Sequence, residues 1–427
     1  MSLSVIFGAL WRALAGLLVL ALIGLAGLVV ADQTRRPDAI AAAIAQGFAE
    51  GRLGGADGFD RIWGRELSHF SECIGLSTAL NREAYAPVWF AIASPALQWA
   101  PPSPMCRTLQ DEVEGHSSSR YYPYARYWHG YRLLTEPILS YFSYAALQGA
   151  CAALLGLAAL ALFAAAGRAV GFALAALALL LPALATESPW LWLTPTHAIS
   201  FASLMLGAAL LMRQARGGEG GAPALAASAF LAGAVYNFFD FLYNPDLLVF
   251  LAGWAGLMAA ARDGSPLGPR LRQAVLAQGA ALAGYIAMWA LKWLLVYASG
   301  RYGFMPWFPS GDINRWLAGG EHGFVPLAAT LAVLGYSVDT LPSALAMAAC
   351  GLGLTAAATL ALRQGKGFCL LALGALWLAP IAMLEAKAGH TIMHAPFVGR
   401  FVPWAAAFTL AGALFIVRQP SLRPRSA

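Results

Sequence analysis

The chain has 427 residues, of which 59% are hydrophobic and only 11% are charged. Soluble globular proteins carry roughly 25% charged residues, so this composition excludes the ordinary soluble class and indicates an integral membrane protein. The formal net charge of +6 does not indicate a nucleic-acid-binding protein, because the basic residues gather in short loops beside apolar segments or lie among acids.

Ten apolar segments are each about as long as the roughly 20 residues that cross a bilayer as a helix. They lie near residues 11–31, 140–166, 169–186, 195–212, 223–243, 245–261, 274–296, 342–362, 368–385 and 402–417. We therefore predict an all-α integral membrane protein, in which residues 1–427 form a single membrane domain with about ten transmembrane helices.

Clustered basic residues follow the even-numbered segments and predict the orientation of the chain. They are Arg168, Arg213, Arg216, Arg262, Arg270, Arg272, Arg363, Lys366, Arg418, Arg423 and Arg425. By the positive-inside rule these loops are cytoplasmic, and so are both termini. The motif VVADQ at residues 29–33 is similar to a signal-peptidase site, but the apolar run before it is long for a signal peptide. We predict that the first segment is retained; its cleavage is the alternative.

Two loops are predicted to lie outside the cytoplasm. Residues 32–136 form the longer one, which is rich in polar residues and is expected to pack on the outer face of the helices. Cys73 and Cys106 both lie in it, where an oxidising compartment permits a disulfide; two free buried thiols are the alternative. In the second loop, residues 297–341, the stretch 325–339 is too short to span and too apolar for open water. We interpret it as an interfacial or re-entrant helix.

Three acids of the first loop are candidates for a general base. Asp60, Glu66 and Glu72 follow closely on the first span. Partial burial at a membrane boundary raises the pKa of a carboxyl group toward the working pH. The alternative is a salt-bridged surface helix, because the charged residues of 60–69 recur at spacings near three and four.

The stretch RYYPYARYWHGYRLLTEP, residues 120–137, concentrates cations among aromatic rings. Arg126, His129 and Arg132 recur every third residue, so they would share one side of a helix. Guanidinium groups there would clamp a phosphate while the rings stack on a sugar or an apolar group. An aromatic belt with snorkelling arginines is the alternative.

Polar residues at the outer ends of later spans extend the candidate site. Asp240 lies in YNFFDFLYNPD, where an acid at membrane depth is either functional or the partner of Arg126 or Arg132. Further cations that would contact an anionic ligand near span ends are Lys292, Lys387, His390, His394 and Arg400. Snorkelling is the alternative for the two lysines.

We predict neither a cofactor nor a metal ion. His390 and His394 have the i, i+4 spacing of metal ligands, yet no third-ligand motif accompanies them, so polar contacts to an anion fit better. A metal requirement stays open. The sequence contains no Walker A loop, GxSxG elbow or Rossmann fingerprint.

Four motifs, in this order along the chain, resemble those of the GT-C superfamily of polytopic glycosyltransferases. They are FSECIGL (70–76), ARYWHGYRLL (125–134), NFFDFLYNP (237–245) and GHTIMHAPFVGR (389–400). The bacterial arabinofuranosyltransferases of pili and envelope polymers are the most similar group. The resemblance implies transfer of arabinofuranose from a polyprenyl-phosphate donor to a glycan, lipid or protein acceptor, at the periplasmic face of the inner membrane. It also implies inversion by an acidic base, for which Glu72 and Asp60 match and Glu66 is a third candidate.

Other function classes stay open. A lipid-linked sugar flippase would have inverted repeats, broken helices and polar residues near the bilayer midplane, none of which the sequence makes apparent. An envelope polysaccharide polymerase or ligase would have its main loop late in the chain, whereas the longest loop here comes first. A structural membrane subunit is a third alternative, and it does not explain the many outward ionisable residues.

Overall fold

The computed structural model describes residues 3–54, 59–62, 65–81, 86–98, 104–116, 120–216, 221–262, 267–299 and 325–419. Within these residues, nine helices are long and apolar enough to cross a membrane, and they coincide with nine of the ten predicted segments. The other segment, predicted at 169–186, forms the shorter helix Phe172–Ala185, which at 14 residues rises only about 21 Å. The chain is an all-α, multi-pass membrane protein.

The helices and strands follow one another in a simple order. The helices are α1 (Leu3–Thr34), α2 (Pro37–Ala49), α3 (His69–Ser77), α4 (Pro87–Ala93), α5 (Met105–Val113), α6 (Arg132–Tyr141), α7 (Tyr144–Val170), α8 (Phe172–Ala185), α9 (Pro195–Arg216), α10 (Gly221–Phe239), α11 (Pro245–Arg262), α12 (Leu267–Ala298), α13 (Ala328–Tyr336), α14 (Leu341–Arg363), α15 (Gly367–Ala375), α16 (Leu378–Ala386), α17 (Ala388–Met393), α18 (Ala395–Val398) and α19 (Phe401–Arg418), with a 3₁₀ turn at Ser188–Leu193. The strands are β1 (Phe59–Ile62), β2 (Arg65–Ser68), β3 (Pro95–Leu97) and β4 (Tyr121–Pro123).

Close backbone approach holds α10 against α12. A Cβ atom on Gly233 would lie 2.0 Å from the carbonyl oxygen of Ala281, and one on Gly284 would lie 1.8 Å from that of Phe230. Without side chains at these two positions, the helices pack closely, as small residues allow between membrane helices where burial from water does not drive association.

The long first loop folds onto one end of the helices, which we call the loop side. The turns 186–194 and 240–244 and the segment 387–400 lie at the same end. For example, the Tyr144 hydroxyl donates to the Leu193 carbonyl, and the Gly130 amide donates to the carbonyl of Phe238 at 2.9 Å. The parts of the chain that carry the candidate site residues therefore come together.

The loop contains helices, two antiparallel two-stranded sheets and a disulfide. Helix α2 follows the first span after two residues, and Cys73 of α3 is bonded to Cys106 of α5 as predicted. The alternative of a single charged helix over residues 60–69 is wrong, because β1 pairs with β2 and helix α3 begins only at His69. In β2, Leu67 is buried and the residues next to it, Glu66 and Ser68, are polar.

Helix α13 lies in the stretch interpreted as interfacial. Its nine residues rise about 14 Å, which is too short to span the roughly 30 Å hydrocarbon core. The Glu385 carboxylate accepts hydrogen bonds from the Thr330 amide at 2.8 Å and the Leu327 amide at 3.1 Å. This acid therefore caps the beginning of α13 and holds it against α16.

The ninth predicted span, residues 368–385, is interrupted between α15 and α16. Pro380 has no N–H to donate to the carbonyl of Leu376 four residues earlier. Instead, the side-chain amide of Gln278, from α12, donates to that carbonyl at 2.8 Å. The freed backbone group is thus satisfied by a neighbouring helix, which membrane interiors require.

We expect the Gln278→Leu variant to lose about 1–2 kcal/mol of unfolding free energy, because it leaves the Leu376 carbonyl buried without a donor. In a Pro380→Ala background the alanine amide can supply that donor, so the same substitution should cost less than about 0.5 kcal/mol. Denaturation in detergent of the four proteins of this cycle measures the coupling. Equal costs in both backgrounds would contradict the proposed compensation.

Candidate functional site

The segment between β4 and α6 is a turn. The prediction that Arg126, His129 and Arg132 share one side of a helix is wrong, because α6 begins only at Arg132. The reason is close packing around Gly130, where a Cβ atom would lie 2.5 Å from the carbonyl oxygen of Phe238. Tertiary contacts with the end of α10 thus decide the backbone here.

Arg126 is held at the edge of this turn with its side chain half-buried. Its carbonyl accepts hydrogen bonds from the indole N–H groups of Trp289 at 2.8 Å and Trp293 at 3.4 Å, both on α12. Its guanidinium lies 5.7 Å from the centre of the Tyr124 ring. The backbone is therefore fixed, and the half-buried side chain also forms a hydrogen bond with the side chain of Tyr127.

His129 is a buried, neutral residue. Nε2 lies 2.8 Å from the Tyr124 carbonyl and therefore donates to it, so Nδ1 accepts from the Tyr131 hydroxyl at 2.9 Å. Burial and the charge of Lys292 lower the pKa of His129 to about 3. His129 is therefore uncharged at neutral pH, and its two hydrogen bonds position the tyrosine-rich turn.

Arg132 is also removed from ligand binding. It is fully buried, forms an ion pair with Asp32 at the end of α1, and pairs with Glu136 at 2.6 Å. Its guanidinium also donates to Ser94 at 3.2 Å. Two carboxylates neutralise this cation, which links α1, α4 and α6, so the predicted phosphate contact is not what the geometry provides.

The segment 385–400 brings basic residues close to Arg126. His390 and His394 have ring centres 4.6 Å apart. Arg126 lies close enough for its positive charge to lower the pKa of both. Burial, more than the neighbouring charges, lowers the pKa of His394 to about 4 and that of His390 well below its usual value. Among the described residues, no group of three or more His, Cys, Asp or Glu side chains is placed to hold a metal ion.

Lys387 joins this group but already has an acid partner. Its Nζ atom lies 2.8 Å from Oδ2 of Asp246, in the first turn of α11. The lysine side chain is 11% exposed, while that of Asp246 is fully buried. One half-buried arginine and one lysine, the latter paired with Asp246, thus lie beside two neutral histidines.

Arg400 pairs with an acid that the sequence reasoning did not single out. Its Nε atom forms an ion pair with Glu187, in the turn between α8 and α9, and both side chains are almost completely buried. Its terminal nitrogens lie 3.4 Å from Nδ1 of His197. Glu187 in the short connection and His197 in the first turn of the apolar helix α9 were the available signal, since ionisable residues at such positions are costly.

Glu72 belongs to α3, and its buried side chain lies against the beginning of α9. Its Oε2 accepts from the Thr196 amide at 2.8 Å and the Thr196 hydroxyl at 2.7 Å, and its Oε1 accepts from Tyr144 at 3.3 Å. Burial raises the pKa of Glu72 to about 7, although these hydrogen bonds oppose the rise. The carboxyl group is therefore anchored, and it titrates near neutral pH.

Asp240 is held by hydroxyl groups and a backbone amide rather than by Arg126 or Arg132, so the alternative of a pairing with either arginine is wrong. Oδ2 accepts from the Tyr285 hydroxyl at 2.8 Å, while Oδ1 accepts from Ser200 at 3.0 Å and from the Tyr243 amide at 3.1 Å. Burial raises the pKa of Asp240 above its usual value. The acid fixes the turn 240–244 between α10 and α11.

Lys292 of α12 is completely buried at the loop side. Its Nζ atom donates to the Ile92 carbonyl at 2.6 Å and lies 5.1 Å from the Trp128 ring centre. It therefore ties the C-terminal part of α4 to α12 and does not snorkel. The side chains of Asp60 and Glu66 lie outside the described residues, so these two candidate bases have no assigned contacts.

A row of aromatic rings runs from Tyr131, near Glu72, to His197, near Arg400. Centre-to-centre distances are 5.1 Å from Tyr131 to Phe241, 5.7 Å from Phe241 to Tyr243 and 4.0 Å from Tyr243 to His197. The fold and this region define a polytopic helical membrane protein with an aromatic, basic polar region at one end. Comparisons with family models, with curated protein sequences and with solved structures each found no match.

Proposed function

We propose that the protein is a membrane glycosyltransferase that moves a sugar, arabinofuranose by the motif resemblance, from a polyprenyl-phosphate donor to an envelope acceptor. The observation that carries the proposal is the convergence of half-buried Arg126 with Lys387, His390 and His394 beside a row of aromatic rings. Such a region suits a ligand with one anionic group and one ring.

The donor phosphate would lie against Arg126 and Lys387. Leaving-group charge grows on the phosphate as the sugar departs, and preorganised cations stabilise that charge. His390 and His394, neutral at physiological pH, would donate hydrogen bonds to it. Arg132 and Arg400 are excluded from this role, because their ion-paired side chains are at most 1% exposed, whereas that of the paired Lys387 is 11% exposed.

The general base is assigned to Glu72 in this proposal. A base functions best when its pKa lies near the working pH, and the pKa of Glu72 lies at about 7. Glu72 also lies close enough to Tyr131 and Tyr243 of the aromatic row for its negative charge to raise the pKa of both hydroxyls. Asp60 and Glu66 are the other candidates, and the test below compares all three.

The reaction is placed on the periplasmic side of the bacterial inner membrane. Basic residues such as Arg168, Arg262 and Lys366 lie at the ends of helices opposite the loop side. The positive-inside rule assigns that end, and with it both termini, to the cytoplasm. The loop side, with its disulfide, would then face an oxidising compartment, where disulfides persist.

The proposal is tested by transfer of radiolabelled sugar from synthetic polyprenyl-phosphate arabinofuranose in membranes that contain the protein. We expect the Arg126→Ala variant to lose at least tenfold in transfer, about 1.4 kcal/mol, because a charged contact to the phosphate is removed. Arg120→Ala is the matched control: this exposed arginine lies in the same segment and should change transfer less than twofold.

The Glu72→Gln, Asp60→Asn and Glu66→Gln variants assign the base. Loss of transfer in one variant that still binds donor identifies it. If wild type moves the donor lipid across vesicles without transferring sugar, the protein is a flippase instead. The interruption of the ninth span does not favour that class, because its free carbonyl is occupied by Gln278.

A further inference from the structure

His197 presents a buried N–H group with no assigned use. The residue is 1% exposed, at the loop-side end of α9. Its Nε2 atom has no hydrogen-bond partner in the part of the chain that the structure describes. Buried polar atoms are rarely left unsatisfied, so an unpartnered one at a candidate site indicates a ligand atom.

The neighbours of the ring determine which nitrogen carries the proton. Both terminal nitrogens of Arg400 lie 3.4 Å from Nδ1 of His197, and a guanidinium group only donates hydrogen bonds. Nδ1 must therefore be the acceptor, which leaves the proton on Nε2. Glu187 fixes Arg400 in turn, so an acid, an arginine and the histidine form a buried chain.

Aromatic groups fix the direction of the ring. His197 stacks on Tyr243 with ring centres 4.0 Å apart and planes at 29°, and Phe397 contacts its edge at 5.4 Å. Phe397 in turn stacks on His394, one of the residues assigned to the donor phosphate. The free N–H is thus held rigidly, next to the proposed ligand region.

We propose that Nε2–H of His197 donates a hydrogen bond to an oxygen atom of the lipid-linked sugar phosphate, and that Glu187 and Arg400 are positioning residues that maintain this tautomer. The inference rests on the proposed function and adds to it a substrate-contacting residue. The oxygen belongs either to the phosphate or to the sugar, and the two donors used below separate these sources.

Two substitutions separate ligand contact from a structural role. Asparagine can keep an acceptor near the Nδ1 position for Arg400 but has no donor at Nε2, whereas glutamine places an amide N–H near Nε2 and loses the Arg400 contact. We expect His197→Asn to weaken binding of polyprenyl-phosphate arabinofuranose at least tenfold, and His197→Gln to weaken it less than threefold. The reverse order, or wild-type affinity in both variants, would overturn the inference.

Nitrogen-15 NMR of the wild-type protein, labelled at histidine and held in lipid nanodiscs, supplies a test without substitution. The His197 signal should be that of the Nε2–H tautomer, and it should shift when ligand is added. A shift with polyprenyl phosphate alone assigns the phosphate oxygen; a shift only with the sugar-bearing donor assigns a sugar oxygen. An Nδ1–H tautomer, or binding of the donor without a shift of the His197 signal, would refute the contact. If the protein still transfers sugar in that case, the proposed function stands. Failure of wild type to bind either lipid would refute both.

Discussion

Replacing Arg132 with methionine is expected to lower the free energy of unfolding by about 3–5 kcal/mol, the cost of leaving buried charges without a partner. The side chains of Asp32 and Glu136 are 4% and 0% exposed, and Arg132 pairs with both. Methionine fills a similar volume, so the loss would reflect the two stranded carboxylates more than lost packing. Chemical denaturation in detergent micelles measures the change.

Two further variants determine what the measurement means. The triple variant Asp32→Asn, Arg132→Met, Glu136→Gln removes every charge of the group, and we expect it to recover more than half of the loss. Arg36→Met is the matched control at an exposed arginine close to the same helices, where a change within about 0.5 kcal/mol is expected. If Arg132→Met retained wild-type stability but lost donor binding, Arg132 would be a ligand-binding residue after all.

The same distinction applies to the other cations at the loop side. Arg400 and Lys387 each have a buried acid from a distant part of the chain, Glu187 and Asp246 respectively. Arg126 differs, because its backbone is anchored by two tryptophans and its side chain remains half-buried. The proposal gives Arg126 the main part in donor binding because its side chain is more exposed than those of Arg132 and Arg400.

The helical architecture was predictable because it follows from local composition. Long apolar runs such as residues 11–31 have one solution in a bilayer, since every backbone polar group must be satisfied within the segment. The disulfide between Cys73 and Cys106 could also be predicted, because only these two of the five cysteines lie in the long loop.

The site was less predictable because its contacts join distant residues. A spacing of three in the sequence made Arg126, His129 and Arg132 look equivalent, but the contact between Gly130 and the end of α10 turns the chain and separates their roles. Likewise, Glu187 and Arg400 are 213 residues apart, and no local pattern pairs them. Tertiary packing overrides local spacing at such positions.

Glu72 should make stability depend on pH in a direction opposite to that of most acids. Its pKa rises from 4.5 to about 7 on folding, so the folded protein binds the proton more tightly than the unfolded chain. The stabilising effect is fully present below about pH 4.5 and is lost as the pH rises through 7. At 1.36 kcal/mol per pKa unit, the total change is about 3 kcal/mol.

The Glu72→Gln variant isolates this effect, because glutamine keeps the shape and an acceptor for Thr196 but does not titrate. We expect the difference in unfolding free energy between variant and wild type to shift by about 3 kcal/mol in favour of the variant between pH 4.5 and 8. A constant difference would show that folding does not raise the pKa of Glu72. Transfer by wild type supplies the second reading: if Glu72 is the base, the rate rises about tenfold per pH unit below 7 and levels off above it. A pH-independent rate together with the predicted stability change would leave Glu72 as the anchor of α9 and assign the base to Asp60 or Glu66.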